Sequence, residues 1–162
     1  NHILNLSGSF SISSWLNLTS LLSANAVQMI LSKHWRDIGA DGYTYGIWAV
    51  SSTSQINFQA FPDYSVNTYP GTSGALLNIN TWYNFTVVFN QSGNQLRYYL
   101  NGNLVGVKNI AFAPISNTKN LYIGCQANST GSLGDYFNGK LDDIRMYNRV
   151  LSENEIRYLS TN

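Results

Sequence analysis

The chain has 162 residues, which suits a single domain, and its 9 Lys and Arg against 8 Asp and Glu give a formal net charge of +1. No basic run is present, so the electrostatic footprint of a nucleic-acid-binding protein is missing. The single cysteine, Cys125, excludes an internal disulfide and a multi-cysteine zinc site. No apolar run approaches the ~20 residues of a membrane span. Charged residues make up only 10% of the chain, and this uncharged polar composition predicts a protein of the extracellular space, the cell surface or the virion surface.

Apolar and polar residues alternate with a period of two over most of the chain, which predicts β-strands. Between two of the strands, Asn101-Gly102 predicts a two-residue type I′ hairpin, because both residues tolerate positive φ. Eight or more short strands at this spacing predict a β-sandwich or jelly roll. We expect strands over residues 10–13, 27–33, 43–50, 55–60, 83–89, 96–101, 121–124 and 140–147.

One short helix is predicted at the C-terminal end. Ser152 and Glu155 have the spacing of a capping box, with Ser152 as N-cap and Glu155 at the third helical position. Ile156 and Leu159 follow three residues apart, on one helical face. We therefore expect this helix to pack against the sandwich and close it.

Five segments carry a pattern in one consistent order: FSISSW at 10–15, TWYNFTVVF at 81–89, LRYYLNGNLVG at 96–106, LYIG at 121–124 and FNGKLDDIRMYNRVLSENEI at 137–156. Together they resemble the core strands and the terminal signature of laminin-G-like domains of the concanavalin A-like superfamily. The resemblance implies an all-β, two-sheet antiparallel sandwich with one short C-terminal helix, in a single domain over residues 1–162. Members of the family open with one more strand, so we expect this domain to be excised from a longer chain and to lack an upstream first strand.

The superfamily includes glucanases, but the chain lacks their Glu-x-Asp-x-Glu motif. The pair Glu153 and Glu155 is explained by helix capping. Asp142 and Asp143 are adjacent, so on a regular strand they point to opposite faces and cannot act together. We therefore predict that the chain is not an enzyme.

Asp142 is the most informative charged residue. Strict alternation puts it on one face with Ile144 and Met146, which we expect in the core, and a carboxylate there must be paired, hydrogen-bonded or metal-bound. One interpretation is that it accepts backbone N–H bonds at the sheet edge or pairs with an arginine such as Arg149. The other, which follows from related sandwiches, is that Asp142 binds one structural Ca²⁺.

Aromatic side chains are the predicted ligand surface, because sugar C–H faces pack on aromatic rings while their hydroxyls pair with Asn, Gln and Asp. The loop over residues 61–74 is the preferred site, since its prolines disfavour a central strand. Trp15 is a separate case, because strict alternation puts it opposite Phe10 and Ile12, so it lies either on the second face of its sheet or after a bulge. The candidate binding residues are Asp63, Tyr64, Asn67 and Tyr69 in the loop, with Trp35, Tyr43, Tyr45 and Trp48 outside it.

Our leading hypothesis from the sequence is a non-catalytic, lectin-like module that binds a glycan or surface polysaccharide. The alternative is a structural or adhesion domain whose partner is a protein or a second copy of itself. An exposed ring beside a polar groove would favour glycan binding, whereas a flat apolar patch would favour a protein interface.

Overall fold

The computed structural model describes residues 4, 6, 8–20, 27–34, 43–50, 55–60, 77–110 and 118–161, with the backbone alone at residues 34, 43, 44, 48–50, 55 and 57–60. This part of the chain forms eleven strands and one helix. In chain order they are β1 (Phe10–Leu18), β2 (Val27–His34), β3 (Tyr43–Val50), β4 (Gln55–Ala60), β5 (Trp82–Asn90), β6 (Gln95–Leu100), β7 (Asn103–Asn109), β8 (Tyr122–Ile123), β9 (Gln126–Ala127), β10 (Leu133–Gly134), β11 (Gly139–Tyr147) and α1 (Glu153–Leu159).

The strands form two larger sheets. Sheet A has the order β11-β1-β5-β6-β7, and sheet B has the order β4-β3-β2-β8; β9 and β10 form a separate small pair. Every pairing is antiparallel. The predicted two-sheet antiparallel sandwich with one C-terminal helix is confirmed.

The main core lies between the two sheets and contains residues of both. Phe10 and Phe89 of sheet A and Tyr45 of sheet B are each at most 1% exposed, and the ring of Phe10 lies against both others. Burying such a side chain contributes about 1.5–3 kcal/mol. The hydroxyl of Tyr45 donates to the carbonyl of Leu4 at 2.9 Å, and burial raises the pKa of this phenol. The apolar side chains that alternate along β1 and β5 therefore point into the core, as the sequence predicts.

A second, smaller core covers the outer face of sheet A, which is the face turned away from sheet B. Helix α1 packs there through Ile156 and Leu159, together with Leu151, against Val88 and Tyr99 of the sheet. The predicted capping box of this helix is confirmed by bonds in both directions between its N-cap and its third residue. Among the described residues, this helix covers part of the outer face and leaves the rest of it open.

Asn84 joins the helix to the sheet. Its side chain is 2% exposed and donates from Nδ2 to the carbonyl of Leu159 at 3.2 Å, while its backbone N–H donates to Oδ1 of Asn101 at 2.9 Å. Beside it, Thr86 Oγ1 donates to Ser13 Oγ at 3.0 Å. These polar groups are buried with partners, as buried polar groups require.

The β6–β7 connection also follows the sequence prediction. Asn101 has φ of 48° and Gly102 has φ of 76°, the positive values that a type I′ hairpin needs at both central residues. The turn lies under the C-terminal end of α1, since a Cβ placed on Gly102 would meet the Cα of Arg157 at 3.2 Å. Close packing as well as backbone conformation therefore requires glycine here.

Candidate ligand-binding site

The site depends on a bulge in β11. In the pairing of β1 with β11, Ser13 faces Arg145 and Trp15 faces Asp142. Between these two pairs β11 advances by three positions while β1 advances by two. Asp143, inside the bulge, has φ of 48°. A β-bulge adds one residue to one strand. Strict alternation counted across the bulge therefore assigns residues beyond it to the wrong face of the sheet.

This bulge overturns two expectations about the paired aspartates. Asp142 is exposed and faces away from the core against which Ile144 and Met146 pack, so the prediction that the three share a face is wrong. Asp142 and Asp143 line one cleft, so the prediction that they point to opposite faces is also wrong. The physical reason is the extra residue, which breaks the strict alternation that both predictions assumed.

The partner of Asp142 is a backbone group. Its Oδ1 accepts the N–H of Asp143 at 2.8 Å, which confirms the interpretation that it accepts a backbone N–H at the sheet edge, since β11 is the edge strand of sheet A. Arg149, the arginine suggested as an alternative partner of Asp142, instead binds Glu155 through two hydrogen bonds of 3.0 and 2.6 Å, so that suggestion is wrong.

An open cleft of about 660 Å³ lies on the outer face of sheet A beside the C-terminal end of α1. We call it the tryptophan cleft. Its apolar walls are the rings of Trp15 and Trp82, and Trp82 is 42% exposed. Trp82 pairs with Asn17, two residues along β1 from Trp15, so the two tryptophans are diagonal neighbours on one face. Its polar lining comes from Asp142, Asp143, Arg145, Ser160 and Thr161.

The charges in the tryptophan cleft are partly neutralised. Arg145 Nε donates to Asp143 Oδ1 at 2.7 Å, and this hydrogen bond is the main cause that raises the pKa of the guanidinium. Asp142 carries a carboxylate whose described contact is one backbone N–H. The hydroxyls of Ser160 and Thr161 already donate to backbone carbonyls of α1. The cleft thus offers carboxylate acceptors, guanidinium donors and two apolar rings, a combination suited to an uncharged polyhydroxylated ligand.

A second cleft of about 400 Å³ lies between α1 and the C-terminal part of β11. We call it the tyrosine cleft. It is lined by Tyr147 and Tyr158 and shares Arg145 with the tryptophan cleft. At its centre Arg149 lies over the ring of Tyr147, 5.7 Å from the centroid, and binds Glu155. That ion pair, with the bonds from Ser152, lowers the pKa of Glu155 to about 2.

The residues predicted as ligand contacts from the sequence are not tested by these clefts. Tyr43 and Trp48 lie in β3 with only their backbone described. Tyr45 of the same strand is fully buried in the core, so its prediction as a ligand contact is wrong. The others lie outside the described residues: Trp35, Asp63, Tyr64, Asn67 and Tyr69. Sequence reasoning placed Trp15 on the opposite face from Phe10 and Ile12, as the structure has it, but missed Trp82, Asp143 and Arg145. Alternation along β5 puts Trp82 on the face opposite Tyr83 and Phe85. Only the register of β1 with β5 shows that this is also the face of Trp15.

The described residues near Asp142 do not form a calcium site by themselves. Ca²⁺ takes six to eight oxygen ligands, and here Asp143 is engaged by Arg145. Within the described ranges no three His, Cys, Asp or Glu side chains lie close enough together to hold a metal ion. The structural Ca²⁺ expected at Asp142 therefore stays a prediction.

The sequence of the chain matches a known protein family. The Laminin_G_3 model of the Concanavalin A-like lectin/glucanases superfamily matches residues 1–157. The chain belongs to this family. No curated protein matches it significantly in sequence.

Solved structures of similar fold include carbohydrate-binding proteins. The CBM40 module of the Ruminococcus gnavus IT-sialidase, solved with α2,3-sialyllactose, is 16% identical with a TM-score of 0.80, over 98% of this chain and 85% of that one. A candidate carbohydrate-binding protein of Bacteroides ovatus is 15% identical with a TM-score of 0.70, over 93% of this chain. Botulinum neurotoxin type C, whose cell entry depends on two ganglioside molecules, is 17% identical with a TM-score of 0.70, over 98% of this chain.

At these low identities, the TM-scores of 0.70 to 0.80 show a shared fold alone. This chain spans 40% of the Bacteroides protein and 36% of the neurotoxin chain. It is similar over nearly its whole length to the CBM40 binding module, while its superfamily also includes glucanases. In the part of the chain that is described, no helix has the length and apolarity needed to cross a bilayer.

Proposed function

We propose that this chain is a non-catalytic glycan-binding module whose ligand lies in the tryptophan cleft. The observation that carries the proposal is the placement of Trp15 and Trp82 as diagonal neighbours on the part of the outer face of sheet A that the described residues leave open. Exposed tryptophan is costly on a monomeric surface, and two rings around one polar cleft mark a binding surface. The similarity in fold to carbohydrate-binding modules supports the same conclusion.

The chemistry of the tryptophan cleft suits a sugar. A pyranose ring presents C–H groups on one face, which pack on an indole, and hydroxyls at its rim, which need donors and acceptors. Asp142 supplies an acceptor, Arg145 supplies donors, and both border the rings. The volume of about 660 Å³ lies within the ~300–1,000 Å³ typical of small-molecule sites.

Hydrolysis is disfavoured by the geometry of the aspartates. Glycosidases place two carboxyl groups on either side of the scissile bond. Asp142 and Asp143 come from one bulge and therefore lie on one side of the cleft. Asp143 is also engaged by Arg145 at 2.7 Å. A bound sugar would thus be held and not cleaved.

The same proposal includes the setting of the module. We propose that it is part of a larger extracellular, cell-surface or virion protein, because only 10% of its residues are charged and its composition is rich in uncharged polar residues. The loop over residues 61–74, with Tyr64 and Tyr69, remains a second proposed contact surface. Its contribution is separable from that of the tryptophan cleft by substitution.

A glycan array followed by isothermal titration calorimetry tests the proposal. Trp82→Ala should abolish binding or weaken it at least tenfold, whereas Tyr136→Ala, which removes a ring that is 59% exposed away from the cleft, should bind like the wild-type chain. A Tyr64→Ala, Tyr69→Ala double variant measures the loop separately. Equal affinities for the wild-type chain and Trp82→Ala would remove the tryptophan cleft as the site.

The alternative, a structural or adhesion domain, is supported by one specific feature. Strand β7 is an edge of sheet A and exposes Leu104 at 49% and Val107 at 44%. An exposed edge is a template for pairing with another strand, either of a partner or of a second copy. Light scattering over a range of concentrations separates the two functions: a dimer that is lost in Val107→Lys favours self-association through β7.

A further inference from the structure

The tryptophan cleft and the tyrosine cleft are parts of one groove. Arg145 lines both of them. On the helix side, Leu159 lines the tyrosine cleft and the next residue, Ser160, lines the tryptophan cleft. The groove therefore runs along β11, with the sheet edge as one wall and the C-terminal segment from Leu151 to Thr161 as the other.

The groove is longer than one sugar. From Asp142 in the tryptophan cleft to Tyr147 in the tyrosine cleft, β11 advances about 15 Å at roughly 3.3 Å per residue, less a small loss at the bulge. Each cleft contributes an exposed aromatic ring, Trp82 in the tryptophan cleft and Tyr158 in the tyrosine cleft. A monosaccharide can contact one of these rings at a time, whereas a chain of several sugars can contact both.

The charges along the groove are paired except at one end. Arg145 binds Asp143 at 2.7 Å and Arg149 binds Glu155 at 2.6 Å, so neither guanidinium faces the groove as an uncompensated cation. Asp142 adds a carboxylate whose described partner is a backbone amide. An anionic ligand would meet no free cation among the residues that line the two clefts and would be repelled by Asp142.

We propose that the groove binds a linear, uncharged oligosaccharide or polysaccharide chain that spans both clefts, passing over Arg145. This inference rests on the proposed function and specifies its ligand. It assigns Trp82 and Tyr158 to two different subsites of one extended ligand. It also predicts discrimination against sialylated glycans, although a module of the same fold was solved with sialyllactose.

The test is calorimetry with chain-length series of neutral probes, from disaccharide to hexasaccharide, of β1,4-linked glucose, xylose and mannose and of N-acetyllactosamine repeats. α2,3-Sialyllactose is the acidic probe. For at least one neutral series we expect affinity to rise with length until both clefts are filled. Trp82→Ala should weaken binding at every length, while Tyr158→Ala should weaken only the longer probes, by roughly two- to tenfold.

Tyr158 is 65% exposed, so its truncation should leave the fold intact, and Asn154→Ala supplies a second variant in the same cleft. Melting temperatures verify folding of each variant. If binding depends on Trp82 but disaccharides bind as tightly as hexasaccharides and neither variant of the tyrosine cleft matters, the extended groove is refuted and the glycan site stands. Tightest binding to sialyllactose refutes the uncharged ligand. If no probe binds, the proposed function and this inference both fail.

Discussion

The hydroxyl of Ser11 accepts the backbone N–H of Leu151 at 3.0 Å, and the same hydroxyl donates to the carbonyl of Arg149 at 2.9 Å. Ser11 is fully buried on the outer face of sheet A, and Leu151 is 4% exposed. One side chain of the first strand thus fixes the segment that leads into α1. Because α1 forms a wall of the groove, this contact also positions the proposed site.

Ser11→Ala should lower the free energy of unfolding by about 1–3 kcal/mol, since it leaves a buried N–H without its partner. Urea unfolding followed by circular dichroism measures this loss. Ser92→Ala is the matched control, because that hydroxyl is exposed and bonds only within the β5–β6 turn, so a change within about 0.5 kcal/mol is expected. Equal losses in the two variants would show that the Ser11 contact has no special role.

Glu155 should make stability depend on pH under acidic conditions. Its pKa is lowered from 4.5 to about 2 in the folded chain, mainly by Arg149. As pH falls, the unfolded chain binds this proton first, so the stabilisation is complete above pH 4.5 and is lost as pH falls toward 2. Glu155→Gln keeps a capping side chain but not the charge. Its free energy of unfolding should fall less steeply than that of wild type over this interval, and parallel curves would contradict the assignment.

Gly102 should tolerate alanine less well than a glycine of similar backbone conformation. Gly102 and Gly131 have φ of 76° and 86°, so alanine at either costs about 1–2 kcal/mol of backbone strain. At Gly102 the added Cβ would also lie 2.7 Å from Ser160 Oγ and 3.2 Å from the Cα of Arg157, whereas at Gly131 it meets nothing within 4 Å. We expect Gly102→Ala to lose at least 1 kcal/mol more than Gly131→Ala, because overpacking adds to the strain. Thermal unfolding of both variants is the measurement.

The calcium ion proposed at Asp142 predicts a melting temperature that falls when EDTA is added to the wild-type chain. Asp142→Asn should remove that response, since an amide is a weaker calcium ligand than a carboxylate. The variant keeps its local structure, because Asn Oδ1 can still accept the N–H of Asp143. A wild-type melting temperature that EDTA does not change would end the calcium proposal.

The fold was predictable because its strongest signals are local. Alternation along β5, positive-φ residues at Asn101 and Gly102, and the capping box of Ser152 and Glu155 each depend on a few neighbouring residues, and the structure bears out all three. Elements with weak local signals were missed. The predicted strand over residues 121–124 is only Tyr122–Ile123, and the short pair of β9 and β10 has no periodicity to detect.

The candidate site was harder to predict because it depends on pairing between distant strands. Trp15 and Trp82 are 67 positions apart in sequence and become neighbours through the register of β1 with β5. Asp142 was assigned to the wrong face because a bulge leaves little trace in composition. The loop aromatics that the sequence favoured lie outside the described residues, so their role stays a prediction.

The extra residue in β11 shifts the phase of the alternation between inward-facing and outward-facing side chains by one position. Residues from Arg145 onward alternate in one phase, and those up to Asp142 alternate in the other. Deleting Asp143 would restore a single phase and leave Asp142 opposite Trp15, because Ser14 would then pair with Ile144 between the two neighbouring pairs. The inserted residue therefore adds a second carboxylate to the cleft, while Leu141 and Ile144, on either side of the bulge, both stay packed against the core.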